Sequence, residues 1–180
     1  MELLLEHGNS DKLSIRGVTS RAGVSPTALY LHFADKDELL RAVCDDAFAE
    51  LGTFLTEAAA SRDGDPRAQL EAMGAAYIAF ARQRSALYRV LFGTTGRQSG
   101  TPRPLEEDPG EQALQVLVEA TARCVGEDRD PVEVAIQLWT GLHGFVSLRS
   151  VVPEIGPGRK WPSDEDFLRG LLEDHLGQSR

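Results

Sequence analysis

Residues 13–43 read LSIRGVTSRAGVSPTALYLHFADKDELLRAV and carry the signals of three successive helices separated by short turns. Ser14 can cap the first helix, and Gly23 can adopt the left-handed conformation that ends it. Ser25 and Pro26 then form the start signal of the second helix. Two short helices joined by a turn of three or four residues that contains Gly form the helix-turn-helix pattern.

The second of these helices has an inner and an outer side, which follow from steps of about 100° per residue. Leu29 and Phe33 lie on the inner side, whereas Thr27, Ala28 and Leu31 point outward. A recognition helix that reaches base edges in the major groove needs this arrangement. A small helical hairpin that merely packs in a core has it as well, so the spacing leaves both interpretations open.

Three polar side chains border the outer side. Tyr30 and His32 can donate hydrogen bonds to phosphate oxygens. Lys36 lies at the start of the third helix, where free backbone N–H groups and a cation together favour an anion. If the segment binds DNA, these three side chains are expected to contact the backbone.

The remainder of the chain also predicts helices. Asp-Pro pairs at 65–66, 108–109 and 130–131 place a cap acceptor before a proline at the first helical position. Apolar residues recur at helical spacing, and no period-2 alternation bounded by hairpin turns is found. We therefore predict an all-α fold, with a loop at 93–108 and with helices at 35–60, 66–84, 85–92, 109–125, 131–152 and 164–176.

The long helix at 35–60 joins two predicted domains. Residues 1–41 are expected to form a three-helix bundle that contains the helix-turn-helix, and residues 42–180 a larger helical bundle. Only MELLLEH precedes the Gly8-Asn9 break. The first helix is therefore expected to be short, with a missing segment upstream.

Composition narrows the possible functions. The net charge of −9 argues against a nucleic-acid partner in general, but residues 1–41 carry five basic and six acidic side chains and are nearly neutral. No apolar run reaches the length of a membrane span, and no secretory leader is recognisable, so a cytoplasmic location is expected. The two cysteines and four histidines show no disulfide framework or metal-ligand spacing, and neither a metal nor a cofactor is predicted.

The stretch 13–43 resembles the DNA-binding domain of the tetracycline repressor (TetR) family, through AGVS at the turn, LY-x-HF at the second helix and KDELL at the start of the long helix. The resemblance implies a DNA-binding transcriptional regulator. It also implies a set of DNA contacts in and around the motif. These are Ser14, Arg16, Ser25, Pro26, Thr27, Ala28, Tyr30, Leu31, His32 and Lys36.

The remaining chain is similar to a subgroup of that family whose effector domain carries a Trp-x-x-x-His-Gly signature, present as WTGLHG at 139–144. The stretch SALYRVLFG is similar to the helix that precedes the loop in this subgroup. An aromatic and methionine set can line a ligand pocket between helices, or can simply fill the core. Its members are Met73, Tyr77, Phe80, Tyr88, Phe92, Trp139 and His143.

The helix at 131–152 is apolar nearly all round and must be covered on more than one side. Gly141 and Gly144 allow another helix to approach it closely. We predict a homodimer in which this helix and the helix at 164–176 pack against their mates. Such a dimer holds two recognition helices about 34–36 Å apart and requires a palindromic operator.

The function predicted from these observations is that of a regulator, a repressor released from operator DNA by a small-molecule effector. A helical interaction protein that has lost DNA binding is the alternative. An enzyme is the third class: Cys124 and His143 are a conceivable nucleophile and base, but no third group, nucleophile elbow or phosphate-binding loop accompanies them. No catalytic residue is therefore predicted.

Overall fold

The computed structural model describes residues 15–62, 64–92 and 104–177. These ranges are helical and contain no strand, which confirms the predicted all-α class. The expected first helix, the predicted contact Ser14 and most of the predicted loop lie outside the described residues. The elements are α1 (Ile15–Ala22), α2 (Pro26–Tyr30), α3 (Lys36–Ala60), α4 (Pro66–Gln83), α5 (Ser85–Phe92), a 3-10 turn (Leu105–Glu107), α6 (Pro109–Ala122), α7 (Pro131–Val151) and α8 (Asp164–Leu176).

The helix starts follow the predicted caps. The Asp35 carboxylate accepts a hydrogen bond from the Glu38 N–H at 2.8 Å, and the Asp130 carboxylate accepts one from the Val132 N–H at 2.9 Å. Asp65, Asp108 and Ser163 cap α4, α6 and α8 in the same way. Because each cap satisfies a backbone donor that has no partner within its helix, the start positions are sharply defined.

Two helices end earlier than the sequence predicts. The N–H groups of Cys124 and Val125 both donate to the Thr121 carbonyl, at 2.8 and 3.1 Å, so the last turn tightens and α6 ends at Ala122 instead of 125. In the same way, the N–H groups of His32 and Phe33 both donate to the Leu29 carbonyl at 3.0 Å. α2 is therefore a helix of five residues that is followed by a turn at Leu31 and His32.

The core lies between α3 and the helices that follow it. α3 packs mainly against α4 and α6, and α7 packs against α6 and α8. Phe80 and Leu91 are fully buried at its centre. A Cβ at Gly141 would lie 2.6 Å from Leu171 Cδ1, so the predicted close approach of helices occurs there, between α7 and α8. Within the described part of the chain no helix is both long and apolar enough to cross a membrane.

Candidate DNA-binding face and effector cavity

The turn between α1 and α2 depends on glycine. Gly23 has a φ of 69° and ends α1 in the left-handed conformation, as predicted. The Val24 N–H donates to the Thr19 carbonyl at 3.0 Å across the turn, and Ser25 Oγ accepts from the Ala28 N–H at 3.1 Å. α2 therefore starts immediately after the turn, in helix-turn-helix geometry with α1.

Few side chains anchor this region. Leu29 is the one buried residue of α2. Thr19 of α1 is buried too, and its hydroxyl donates to the Ile15 carbonyl at 3.0 Å, which satisfies the group inside its own helix. The burial of Thr19 is not predictable from the sequence, because no pattern of residue types shows that a threonine hydroxyl bonds within its own helix.

The outer face of α2 (Thr27, Ala28 and Leu31) is open to solvent in large part. The side chain of Leu31 is 79% exposed. The Leu31 N–H donates to the Thr27 carbonyl at 3.2 Å, which places these two residues one turn apart on the same side. Ala28 and Lys36 are half-buried. The other described residues predicted to contact DNA are exposed, namely Arg16, Ser25, Pro26, Thr27, Tyr30 and His32.

A small apolar contact joins α1 to the helices behind it. Leu40, near the start of α3, is buried and packs against Val18 of α1. Val90 of α5 packs against the same leucine. Leu40 therefore connects the helix-turn-helix to both α3 and α5.

The bundle of α3 to α8 holds a cavity of about 100 Å³. The described part of its wall is almost entirely apolar, and Glu111, in the first turn of α6, is the one charged residue among the described residues that line it. The apolar lining residues are Phe48, Leu51, Leu55, Leu70, Met73, Tyr77, Phe92, Ala113, Leu114, Leu117, Leu138, Trp139, Leu142, Leu168, Leu171 and Leu172.

The cavity is lined by four of the seven residues that the sequence suggests for a pocket, namely Met73, Tyr77, Phe92 and Trp139. Phe80 does not line it, because its fully buried ring packs edge-on against Phe54 at 5.6 Å. About half of the lining residues are leucines, which come from α3, α4, α6, α7 and α8 and are not in the set that the sequence suggests. Their helical spacing predicts burial, but it cannot separate a core position from a cavity position.

Tyr88 and His143 form a polar network directly behind this wall. The Tyr88 hydroxyl lies 2.6 Å from His143 Nδ1 and 3.1 Å from the Tyr77 hydroxyl. His143 Nε2 lies 3.3 Å from Ser147 Oγ. The Phe92 ring meets the imidazole edge-on, with 4.6 Å between the ring centroids. The network therefore touches the cavity through Tyr77 and Phe92.

Burial sets the protonation of this network. It lowers the pKa of His143 below its ordinary value, because the imidazolium loses hydration and gains no carboxylate partner. Burial also raises the pKa of Tyr77 and of Tyr88, so both phenols keep their protons. A neutral His143 can then accept at Nδ1 from the Tyr88 hydroxyl and can donate from Nε2 to Ser147.

Arg82, Arg84 and Arg89, which lie on or beside α4 and α5 and could attract an anionic ligand, are not among the described residues of the cavity wall. Arg82 Nη1 pairs with Asp164 Oδ2 at 2.8 Å, and Arg84 Nε pairs with Glu50 Oε1 at 2.8 Å, with both arginines exposed. Arg89 is also exposed. None of the three lines the cavity, and no Lys, Arg or His is among the described residues that line it.

Cys124 and His143 are not paired in the structure. The hydrogen-bond partners of the His143 ring are Tyr77, Tyr88 and Ser147. Burial raises the pKa of the Cys124 thiol, which disfavours the nucleophilic thiolate. Among the described residues no group of three or more His, Cys, Asp or Glu is placed to hold a metal ion.

One side of α7 carries exposed apolar residues. Val132, Ile136, Leu148 and Val151 are between 43% and 73% exposed, although they are large and apolar. Gly144 lies between the second and third of them, and a Cβ built there meets nothing within 4 Å. Unlike Gly141, Gly144 is therefore not approached by any other helix in the described part of the chain.

An exposed helix-turn-helix in front of a helical bundle with an apolar cavity is the organisation of a DNA-binding regulator with a separate effector domain. Residues 1–43 match the model described as bacterial regulatory proteins, tetR family, and residues 70–157 match that described as tetracyclin repressor-like, C-terminal domain. Because the two models of this family together span well over half of the chain, the chain belongs to the TetR family. It is a DNA-binding transcriptional regulator.

Solved structures agree with this assignment. The chain is similar to a crystal structure named as a candidate regulatory protein, SCO4313, with 26% identity, a TM-score of 0.75 and coverage of 98% of this chain and 91% of the other. A protein of unknown function from Rhodococcus sp. RHA1 is similar at 25% identity, with a TM-score of 0.74 and the same coverage. No curated protein matches the chain.

Proposed function

We propose that the protein is a ligand-responsive repressor, which a small molecule releases from a palindromic operator. One observation carries the proposal: the helix that supports the helix-turn-helix also forms a wall of the apolar cavity. Phe48, Leu51 and Leu55 of α3 line the cavity, and Leu40 of the same helix packs against α1. A ligand that changes the position of α3 therefore also moves the DNA-binding helices.

α5 supplies a second connection. Phe92 lines the cavity and meets Phe48 of α3 edge-on, with 5.9 Å between the ring centroids. Two residues earlier, Val90 packs against Leu40. A ligand that pushes Phe92 away from Phe48 would thus disturb the contact at Leu40. If the ligand binds this displaced arrangement more tightly, it shifts the protein towards conformations in which the two helix-turn-helix domains of the dimer have a different spacing.

The chemistry of the wall defines the ligand class. An apolar lining favours an uncharged apolar compound, and Glu111 disfavours an anion. A space of about 100 Å³ lies below the roughly 300–1,000 Å³ of drug-sized sites. We therefore expect a compact ligand, or a larger one that opens the bundle as it binds.

The proposed assembly is a homodimer through α7 and α8, as the sequence suggests. Val132, Ile136, Leu148 and Val151 are exposed on α7, and large apolar side chains that are open to solvent favour a protein interface there. Gly144 lies between Ile136 and Leu148 in the helix and allows a second helix to approach. In the dimer, the two helix-turn-helix domains would bind operator half-sites that lie one helical turn of DNA apart.

Other proposed features follow the same scheme. Residues 1–41 serve as the DNA-binding domain and 42–180 as the effector and dimerisation domain, of the Trp-x-x-x-His-Gly subgroup. Ser14, Arg16, Ser25 and the residues from Pro26 to Lys36 named above contact DNA. His143 and Tyr88 hold Tyr77 and Phe92 in position, and Tyr77 and Phe92 are the residues that contact the ligand. The protein would act in the cytoplasm, without catalytic activity.

The dimer is tested by one charge. Leu148→Glu places a carboxylate on the exposed apolar side of α7, where it meets water in a monomer and an apolar partner in the proposed dimer. Sedimentation should show dimers of the unmodified chain and monomers of this variant. Gln115→Glu, which adds the same carboxylate at an exposed position of α6, is the control. A chain that sediments as a monomer before any change would contradict the dimer.

The ligand response is tested with the full-length protein and DNA that it selects. Neutral aromatic compounds of increasing size, from benzene to substituted naphthalenes, are screened for an increase in Tm. A compound that binds the cavity should also weaken operator binding by tenfold or more, which corresponds to a coupling of about 1.4 kcal/mol.

A pair of variants locates the effect. Leu114→Trp fills the cavity from α6, whereas Gln115→Trp adds the same indole on the exposed side of that helix. Leu114→Trp should abolish the increase in Tm, and Gln115→Trp should preserve it. Compounds that raise Tm in both variants, or that leave operator binding unchanged, would refute a regulatory cavity.

A further inference from the structure

The outer face of α2 lacks the side chains that most often identify bases. Guanine is read mainly by Arg or Lys, adenine by Asn or Gln, and cytosine by Asp or Glu, through hydrogen bonds in the major groove. Thr27, Ala28 and Leu31 offer two aliphatic side chains and a hydroxyl with a methyl group. Pro26, at the first position of α2, is aliphatic as well. Hydrogen-bonded base recognition from this face is therefore limited to one threonine hydroxyl.

The same face exposes an apolar side chain that the fold leaves uncovered. Leu31 is 79% exposed, whereas Leu29, two residues earlier, is 7% exposed and anchors the helix. Apolar surface gains from contact with other apolar surface. In the major groove, the apolar group that a base pair presents is the 5-methyl group of thymine.

We infer that the outer face of α2 reads thymine methyl groups, with Leu31 as the main specificity-determining residue. The inference rests on the proposed DNA contacts of α2 and adds the class of base that they recognise. Tyr30 and His32 border the face and can hold the phosphates on either side. The operator half-site then contains a thymine whose methyl group packs against Leu31.

Replacement of thymidine by deoxyuridine tests this contact directly. Deoxyuridine keeps O4 and the base-pairing groups and removes only the methyl group. Duplexes are selected from a random pool by the full-length protein, and the enriched duplex is resynthesised with deoxyuridine at one position at a time. Loss of one buried methyl contact should weaken binding about fourfold, and symmetric loss in both half-sites about fifteenfold.

A variant assigns the contact to its residue. Leu31→Ala should bind the thymidine and deoxyuridine duplexes with nearly equal affinity at the position read by Leu31. Ile155→Ala, which shortens an exposed aliphatic side chain in the segment between α7 and α8, should keep the ratio of the two affinities found for the unmodified protein.

The outcomes separate the inference from the proposed function. An enriched duplex that binds equally well with deoxyuridine at every position would overturn methyl recognition and leave DNA binding intact. If deoxyuridine weakens the binding of Leu31→Ala as much as it weakens the binding of the unmodified protein, Leu31 is not the residue that reads the methyl group. If no duplex is enriched at all, operator binding fails, and the inference fails with it.

Discussion

In α2 one of five residues is buried, whereas α4 buries seven of eighteen. The apolar residues follow the same division, since Leu31, directly after α2, is 79% exposed and Phe80 of α4 is fully buried. The bundle buries apolar side chains that stabilise it, whereas the helix-turn-helix leaves a large apolar side chain open to solvent. Because few side chains anchor α1 and α2, we expect the two regions to respond differently to substitution.

The largest expected effect comes from the centre of the bundle. Phe80→Ala removes a fully buried ring that packs against Phe54, and it should lower the free energy of unfolding by about 3–5 kcal/mol. Urea denaturation measures this change. Leu31→Ala, which shortens an exposed side chain, should stay within about 0.5 kcal/mol of the unmodified protein. Equal effects of the two substitutions would remove the distinction between the regions.

The anchor of α2 should give the next largest effect. Leu29→Ala is expected to lose about 2–4 kcal/mol, confined to α1 and α2. Hydrogen exchange should show faster exchange of the amides of these two helices, with protection kept in α4, together with loss of operator binding. Tyr30→Phe, at an exposed neighbour, is the control for exchange. If Leu29→Ala lowers protection equally in α4, the head and the bundle are one cooperative unit.

The cap at the junction of the two regions should contribute less. Asp35→Ala leaves the Glu38 N–H without its acceptor at the start of α3, at a cost of about 1 kcal/mol. Thermal unfolding measures the change in stability, and Asp35→Ser, which keeps a capping oxygen, should recover most of it. If both variants are destabilised equally, Asp35 stabilises the protein in some way other than by capping α3.

The smallest effect concerns pH. Because burial lowers the pKa of His143 in the folded chain, the unfolded chain binds a proton that the folded chain resists. Neutral His143 therefore contributes fully to the free energy of unfolding above its ordinary pKa of about 6.5. This contribution is lost as the pH falls from there through the lowered pKa of His143 in the folded chain. Unfolding free energies between pH 8 and 5 should decline less in His143→Gln. An identical decline in the two proteins would contradict the account of the network.

The sequence predicted the helices well, because start signals are local. Aspartate caps, with proline at the next position, determine where α4, α6 and α7 begin without reference to the remaining fold, and Ser25 with Pro26 does the same for α2. The ends of α2 and α6 were placed too late, since a tightened last turn depends on backbone hydrogen bonds that leave no clear pattern in residue types.

The candidate sites were predictable to different degrees. The outer face of α2 follows from 100° steps and from the turn at Gly23, and exposure agrees with it. The cavity does not follow from the sequence, because whether buried residues such as Phe80 or Leu114 touch a void depends on packing across several helices. The spacing of the Arg82, Arg84 and Arg89 side chains could not reveal that two of them pair with carboxylates outside the cavity.

We propose that the cavity and the operator surface are coupled through α3 and α5. Coupling between two binding sites is reciprocal, so the factor by which a cavity ligand weakens operator binding must equal the factor by which operator weakens ligand binding. Calorimetric titration of a cavity ligand into the full-length protein, with and without saturating operator, measures this directly. The account predicts a Kd at least tenfold higher with operator present. An identical Kd in both titrations would contradict it.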